Sequence, residues 1–177
     1  AEINPFQQWS GLHCKAGCGK CCFKPDIEAT TLEFLPLAYY LHKNKLANAW
    51  YEKLKQHTDS LCIILNQSVI TGTGLCSEYT HRGLICRLFG FSARKNKYAK
   101  TELMTCEVIK TELSDEFNHA VSSIGHGNAS VPLMAQYHMK LMSIDDQLAR
   151  KHWPINEAVK LAIEEVLSYY AYRDDAE

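Results

Sequence analysis

The chain contains no stretch of about 18 consecutive apolar residues, so nothing in it reads as a transmembrane helix. No signal-peptide pattern is legible at its start. An excess of either charge is also missing: 19 Lys and Arg against 20 Asp and Glu leave a net charge of −1 and a pI near 6.8. That balance removes any whole-molecule attraction to nucleic acid or to an anionic membrane. The motifs of common catalytic machineries are absent too. There is no Ser–His–acid arrangement, phosphate loop, dinucleotide fingerprint, H-E-x-x-H or Cys/His finger spacing. Internal repeats and low-complexity tracts are likewise missing. Acidic residues are lacking from two particular stretches, 11–25 and 79–101, and both of these carry cysteines.

Cysteine, by contrast, is plentiful: eight in 177 residues. A chain of this length buries roughly 70% of the surface its unfolded form exposes, so it has no need of covalent staples to hold a core. The even count would suit four disulfides in a secreted interaction domain. In a cytosolic protein, clustered cysteines more often bind metal. Charge favours the second reading. Zn²⁺ held by four thiolates carries a net −2, as does a [4Fe–4S]²⁺ cluster with four thiolate ligands. Lys15, Lys20, Lys24, Arg82, Arg87, Arg94, Lys95, Lys97 and Lys100 put nine of the 19 cations in the two acid-free stretches. Cations lower thiol pKa and offset anionic sites, whereas a neutral disulfide gains nothing from them.

The densest cluster is LHCKAGCGKCCFK, residues 12–24, with Cys14, Cys18, Cys21 and Cys22. Gly17 and Gly19 permit the positive φ that wraps backbone tightly around a small object. Gathered thiolates repel one another unless a soft or borderline cation neutralises them, which points to Zn²⁺ or an iron–sulfur cluster. The adjacent pair is informative, because neighbouring side chains rarely converge on one ion; one of Cys21 and Cys22 faces a second metal, a second iron or the core. With Cys62, Cys76, Cys86 and Cys106, two four-thiolate sites could be filled with none left over.

Along the chain, residues 1–29 read as irregular. Thr30 and Glu33 have capping-box spacing ahead of a helix, in which Pro36 marks a kink or a later start. Leu46, Trp50 and Leu54 give a second helix over 46–57. Ile63, Ile64, Val69 and Ile70 favour short strands, TGTG a turn, and 93–101 an exposed basic loop. From about 102 onward the chain reads as helical. Ser114 is a cap and Gly125 a stop, Pro132 opens one helix, and Pro154 opens the clearest one. In that last helix Ile155, Val159, Ala162, Ile163, Val166 and Tyr170 form one apolar stripe. The fold class is thus mainly α: one domain over 1–177, with an irregular, cysteine-rich metal-binding region at 10–110, short strands at most, and a helical extension at 111–177 packed against it.

CKAGCGKCC resembles the opening motif of the YkgJ-like cysteine-cluster family, described as zinc- or iron-chelating proteins. CSEYTHRGLICRLFGF is similar to that family's second signature through Cys76, Tyr79, Arg82, Cys86, Arg87 and Phe89. LCIIL, with Cys62, resembles its Cys-Pro-Phe-Leu element, and TCE, with Cys106, its last cysteine. Two departures stand out: Gly83 follows Arg82 where the family has Pro, and Ile63-Ile64 replace Pro-Phe. The resemblance covers about 10–110 and implies chelation without naming a reaction. Since the family also resembles the cysteine-rich part of a flagellin lysine methylase, a redox or methyl-transfer enzyme using an iron–sulfur cluster is the alternative.

All eight cysteines are therefore candidate ligands. Tyr79, Arg82 and Arg87 are candidates to donate hydrogen bonds to thiolate sulfurs or to nearby carbonyls. His13, His81, His126 and His138 read as ordinary core or surface histidines. RKNKYAK, with Phe89, Phe91 and Tyr98, could be a nucleic-acid patch, but the charge balance speaks against it. The expected ligand is a metal ion, zinc or iron, in a cytoplasmic protein. The sequence names no protein partner, and thiolates do not discriminate sharply among metals.

Overall fold

The computed structural model describes residues 2–15, 18–67 and 74–174; Gly17, Val69, Ile70 and most of the TGTG turn lie outside them. In chain order the elements are α1 (Ile3–Ser10), β1 (Glu28–Thr30), α2 (Thr31–Lys43), α3 (Ala47–Gln56), β2 (Leu65–Gln67), β3 (Gly74–Cys76), α4 (Leu84–Leu88), β4 (Ser92–Lys95), β5 (Thr101–Met104), α5 (Glu107–Glu112), α6 (Ser114–Gly125), α7 (Met134–Ile144), α8 (Asp146–Arg150), β6 (His152–Pro154) and α9 (Ile155–Asp174). Helix dominates, and no described strand exceeds four residues, as a mainly α fold requires. Backbone packing divides the chain into two compact units. The first comprises 1–16 and 85–140, the second 17–84 and 141–177.

In the second unit α2 packs along α9. Phe34, Leu37 and Leu41 of α2 and Val159, Ala162 and Ile163 of α9 are completely buried. The apolar stripe of α9 is therefore the core-facing side of that helix, and burying each such Leu, Ile or Phe is worth about 1.5–3 kcal/mol. At the stripe's far end Tyr170 stacks on His42, ring centroids 4.2 Å apart. Glu33 reaches back to the Thr30 N–H (3.0 Å) and hydroxyl (3.2 Å), so α2 begins at its capping box. Pro36 lies on the exposed side, within the helix, and does not delay its start. β1 pairs antiparallel with β6, Ala29 opposite Trp153. This tie joins the segment just after the cysteine loop to the start of α9.

In the first unit Phe6, Leu12, Phe91, Ile109, Ala120 and Ile124 form the core, with Leu103 and Cys106 packed against it. Several sequence expectations change here. Residues 3–10 are helical: Pro5 falls in the first turn, where no backbone donor is needed, and Gly11 ends α1 in the left-handed region at φ 72°. The stretch 92–104 is a β-hairpin rather than a loop running into a helix. Ser92 lies opposite Met104 and Lys95 opposite Thr101. Asn96 organises its turn, with Oδ1 accepting from the N–H groups of Tyr98 (2.9 Å) and Lys100 (3.0 Å), an Asx-type use of asparagine. Helix resumes only at Glu107. Ser114 is the first residue of α6 rather than its cap, while the helix does end at Gly125, followed by a left-handed Gly127 at φ 75°. Pro132 lies outside α7 because its carbonyl accepts the Ala93 N–H (2.8 Å) in an extended segment. Pro154 closes β6, so α9 begins one residue later.

Candidate metal centre

All eight cysteines are among the described residues, and none forms a disulfide. Five belong to the second unit, Cys18, Cys21, Cys22, Cys62 and Cys76, and three to the first, Cys14, Cys86 and Cys106.

The second unit's set begins at Gly19, left-handed at φ 57°. It turns the chain into a 3-10 segment, Lys20–Phe23, closed by the Cys22 N–H to the Gly19 carbonyl at 2.8 Å. The tight turn leaves Cys21 Sγ 3.9 Å from Cys22 Sγ. The contact with the Cys22 thiol draws the Cys21 thiol well below its usual range; burial opposes this, while the backbone N–H groups of Cys21 and Cys22 and the Arg82 guanidinium act in the same direction as Cys22. β3 packs against this turn and ends at Cys76, opposite Leu65 of β2. Burial raises the Cys76 thiol, and Arg82 and the Glu78 N–H pull against that rise. Cys62 is only 6% exposed. Burial pushes its thiol up to about 11; the N–H groups of Ile64 and Leu65 oppose this, and the neighbouring charges of Cys76 and Cys21 add to it. Cys21, Cys62 and Cys76 thus lie within electrostatic reach of one another, and Arg82 acts on the first and third.

Arg82 is held from below. Its Nε donates to the Tyr79 carbonyl (3.1 Å) and its guanidinium lies 3.5 Å from the Tyr79 ring centroid. Tyr79 itself is 58% exposed and provides a face for the cation. Gly83, the next residue, is buried, and a Cβ there would meet Phe34 Cζ at 2.8 Å. The departure from Pro at this position therefore matches the Phe34 ring lying on the backbone: proline brings the same Cβ. The other departure has a counterpart too. Ile63 donates its N–H to Asn156 Oδ1 at 2.8 Å, a bond that proline cannot make. Ser77 completes the loop, giving both its N–H (3.0 Å) and its hydroxyl (3.1 Å) to the Ile64 carbonyl. Asn156 was not legible as part of this site. It is one polar residue at a helix start, and no local pattern tells which distant backbone it meets.

In the first unit Cys14 is exposed, and Cys86 and Cys106 are half-buried. The Lys15–Glu112 ion pair, 3.5 Å, ties the Cys14 segment to α5, the helix that Cys106 precedes. The Gly90 N–H donates to the Met104 carbonyl at 3.0 Å, which joins the end of the Cys86 segment to β5, the strand just before Cys106. Thr105 Oγ1, adjacent to Cys106, is buried without a hydrogen-bond partner among the described residues. Arg87 lies exposed on α4. The basic stretch 94–100 is the hairpin and its turn, where Arg94 pairs with Glu102 (3.5 Å) and Lys95 donates to Thr101 (2.6 Å). Among the histidines, His13 donates to the Gly11 carbonyl (2.9 Å) and His81 stacks on Tyr40, centroids 4.1 Å apart.

Among the described residues, no three His, Cys, Asp or Glu side chains are gathered into a set that could hold a metal ion. The chemistry of the donors nevertheless suits a soft or borderline cation. They are thiols, with backbone N–H groups beside three of them, an arginine acting on two, and an unpartnered hydroxyl beside a fourth. Comparison with known families gives residues 13–107 as a match to the CxxCxxCC family, described as "putative zinc- or iron-chelating domain". The chain belongs to this family. Metal chelation is accordingly its general character. No curated protein and no solved structure matches the chain. The CxxCxxCC match ends before α6, so α6 to α9 belong to this chain beyond the family region. No helix among the described residues is long and apolar enough to cross a membrane.

Proposed function

We propose that this chain is a cytoplasmic metal-binding protein that holds zinc or iron, including iron in an iron–sulfur cluster, through cysteine thiolates. One ligand set is drawn from Cys18, Cys21, Cys22, Cys62 and Cys76, and a second from Cys14, Cys86 and Cys106. The observation that carries this reading is the second unit's arrangement, in which β3, ending at Cys76, packs against the turn that holds Cys21 and Cys22, with Arg82 acting on both Cys21 and Cys76. Arg82, stacked on Tyr79, would offset the negative charge of thiolates at Cys21 and Cys76, and Arg87, next to Cys86, would do so for the first unit's set. Bound metal would draw the loops into one arrangement, since thiolates become ligands only when deprotonated and brought together; an iron–sulfur cluster would add one-electron transfer. Sites built of cysteine alone are usually closed, so the role is structural, storage or electron transfer rather than hydrolysis.

The test is elemental analysis and thiol counting in denaturant on the protein isolated without air or added reductant from its own host. The expected result is one or two zinc per chain in a colourless protein, or iron with absorbance near 400 nm in a brown one. Protein free of metal, with its thiols paired as disulfides, would sink the reading.

A further inference from the structure

The Cys62 thiol lies in the middle of a short loop that helix α9 holds by one side chain. Asn156 is the second residue of α9, outside the family-matched stretch 13–107. Its Oδ1 accepts the Ile63 N–H at 2.8 Å, and its Nδ2 donates to the Leu61 carbonyl at 2.8 Å and to the Asp59 carbonyl at 3.3 Å. A single carboxamide therefore grips the backbone on both sides of Cys62. Bonded as acceptor at one end and donor at the other, it cannot flip without losing every contact. Two further bonds stiffen the approach: Asp59 Oδ1 accepts the Leu61 N–H (2.9 Å), and His57 Nε2 donates to the Leu61 carbonyl (3.2 Å).

We infer that Asn156 is the positioning residue for Cys62, fixing where that candidate ligand sits from a helix beyond the family domain. The inference rests on the metal-binding reading above. α9 is anchored independently of the loop, through Val159, Ala162 and Ile163 against α2. The loop itself has little regular structure of its own. The information that fixes Cys62 thus arrives from 93 positions along the chain. Partners that orient a ligand in this way typically change metal affinity about 10–100-fold when removed.

The experiment uses the reduced, metal-free full chain and two readouts. The first is the iodoacetamide alkylation rate of each cysteine by peptide mass spectrometry, with Cys14 as the exposed reference. The second is Zn²⁺ affinity by competition with a chromogenic chelator. Asn156→Ala is expected to raise the Cys62 to Cys14 labelling ratio about tenfold, since three hydrogen bonds holding the loop are lost, and to weaken zinc binding about 10–100-fold. Asn156→Asp, which keeps the acceptor for Ile63 and loses the two donated bonds, should fall between. Val159→Ala removes buried volume from the same helix without touching the loop, and should leave the ratio unchanged. An unchanged ratio in Asn156→Ala, or an equal rise in Val159→Ala, overturns the inference. So does a raised ratio with unaltered zinc affinity. Wild-type chain that binds no zinc and no ferrous iron overturns the metal-binding reading instead, and the labelling ratio then still decides whether Asn156 holds Cys62.

Discussion

The two cysteine sets are fixed in different ways. In the second unit Cys62 and Cys76 sit on and beside a hairpin of three-residue strands, tied down by Asn156, Ser77 and a stacked Arg82. In the first unit Cys106 leans directly on an apolar core, and Cys14 is tethered next door by a surface ion pair. Short strands and loops cannot fix a thiol by themselves, because few of their backbone groups pair regularly. The second unit makes up the shortfall with polar side chains sent from a well-packed helix. The first does so with hydrophobic contact. A polar tie fixes position closely but fails as a whole when its supporting helix is lost, whereas apolar contact weakens by degrees.

The largest test of that contrast removes residues 141–177. Without α9 the buried faces of Phe34, Leu37 and Leu41 lose their cover. Hydrogen exchange at the α2 amides should then approach that of an unfolded chain, while α6 keeps measurable protection. Persisting protection across α2 would break the comparison. Next comes the pair Cys76→Ser and Cys106→Ser, one from each unit. Each is expected to lower metal content by elemental analysis without abolishing the other set's share; complete loss from either single change would mean that the sets act as one. A smaller effect follows from Gly83→Ala. Its new Cβ meets Phe34 Cζ at 2.8 Å, which should cost about 1–3 kcal/mol in denaturant unfolding. Adding Phe34→Leu should recover part of that cost. If Gly83→Ala is neutral alone, Phe34 is not what fixes the backbone beside Arg82. The smallest change is Lys15→Ala. Both partners of its ion pair are more than half exposed, so the loss should stay below about 1 kcal/mol and disappear in high salt.

How much of this could be read from the chain beforehand depends on the range of each interaction. The α9 stripe was legible because its period of 3.6 repeats within one segment, and so was the Thr30–Glu33 box, which spans four residues. The cysteine loop with its glycine turn was legible for the same reason. The hairpin at 92–104 was not, since basic residues dominate its turn and Asn96 gives only a single turn signal. α1 was masked by Pro5, which reads as a breaker until its place in the first turn is known. The division of eight cysteines into five and three was hidden as well: the chain passes between the units three times, and spacing along the chain says nothing of that. Gly83 and Ile63 registered only as departures from a family pattern. Phe34 and Asn156, which give those departures their sense, lie about 49 and 93 positions away.

The length of that last tie also sets a schedule for the newborn protein. Asn156 leaves the ribosome 93 residues after Ile63, a lag on the order of ten seconds at ordinary synthesis rates. If Asn156 holds Cys62 as proposed, the sulfur at position 62 is made but not yet held for that interval. On the proposed reading, the Cys62 loop thus depends on reducing surroundings until α9 has been made.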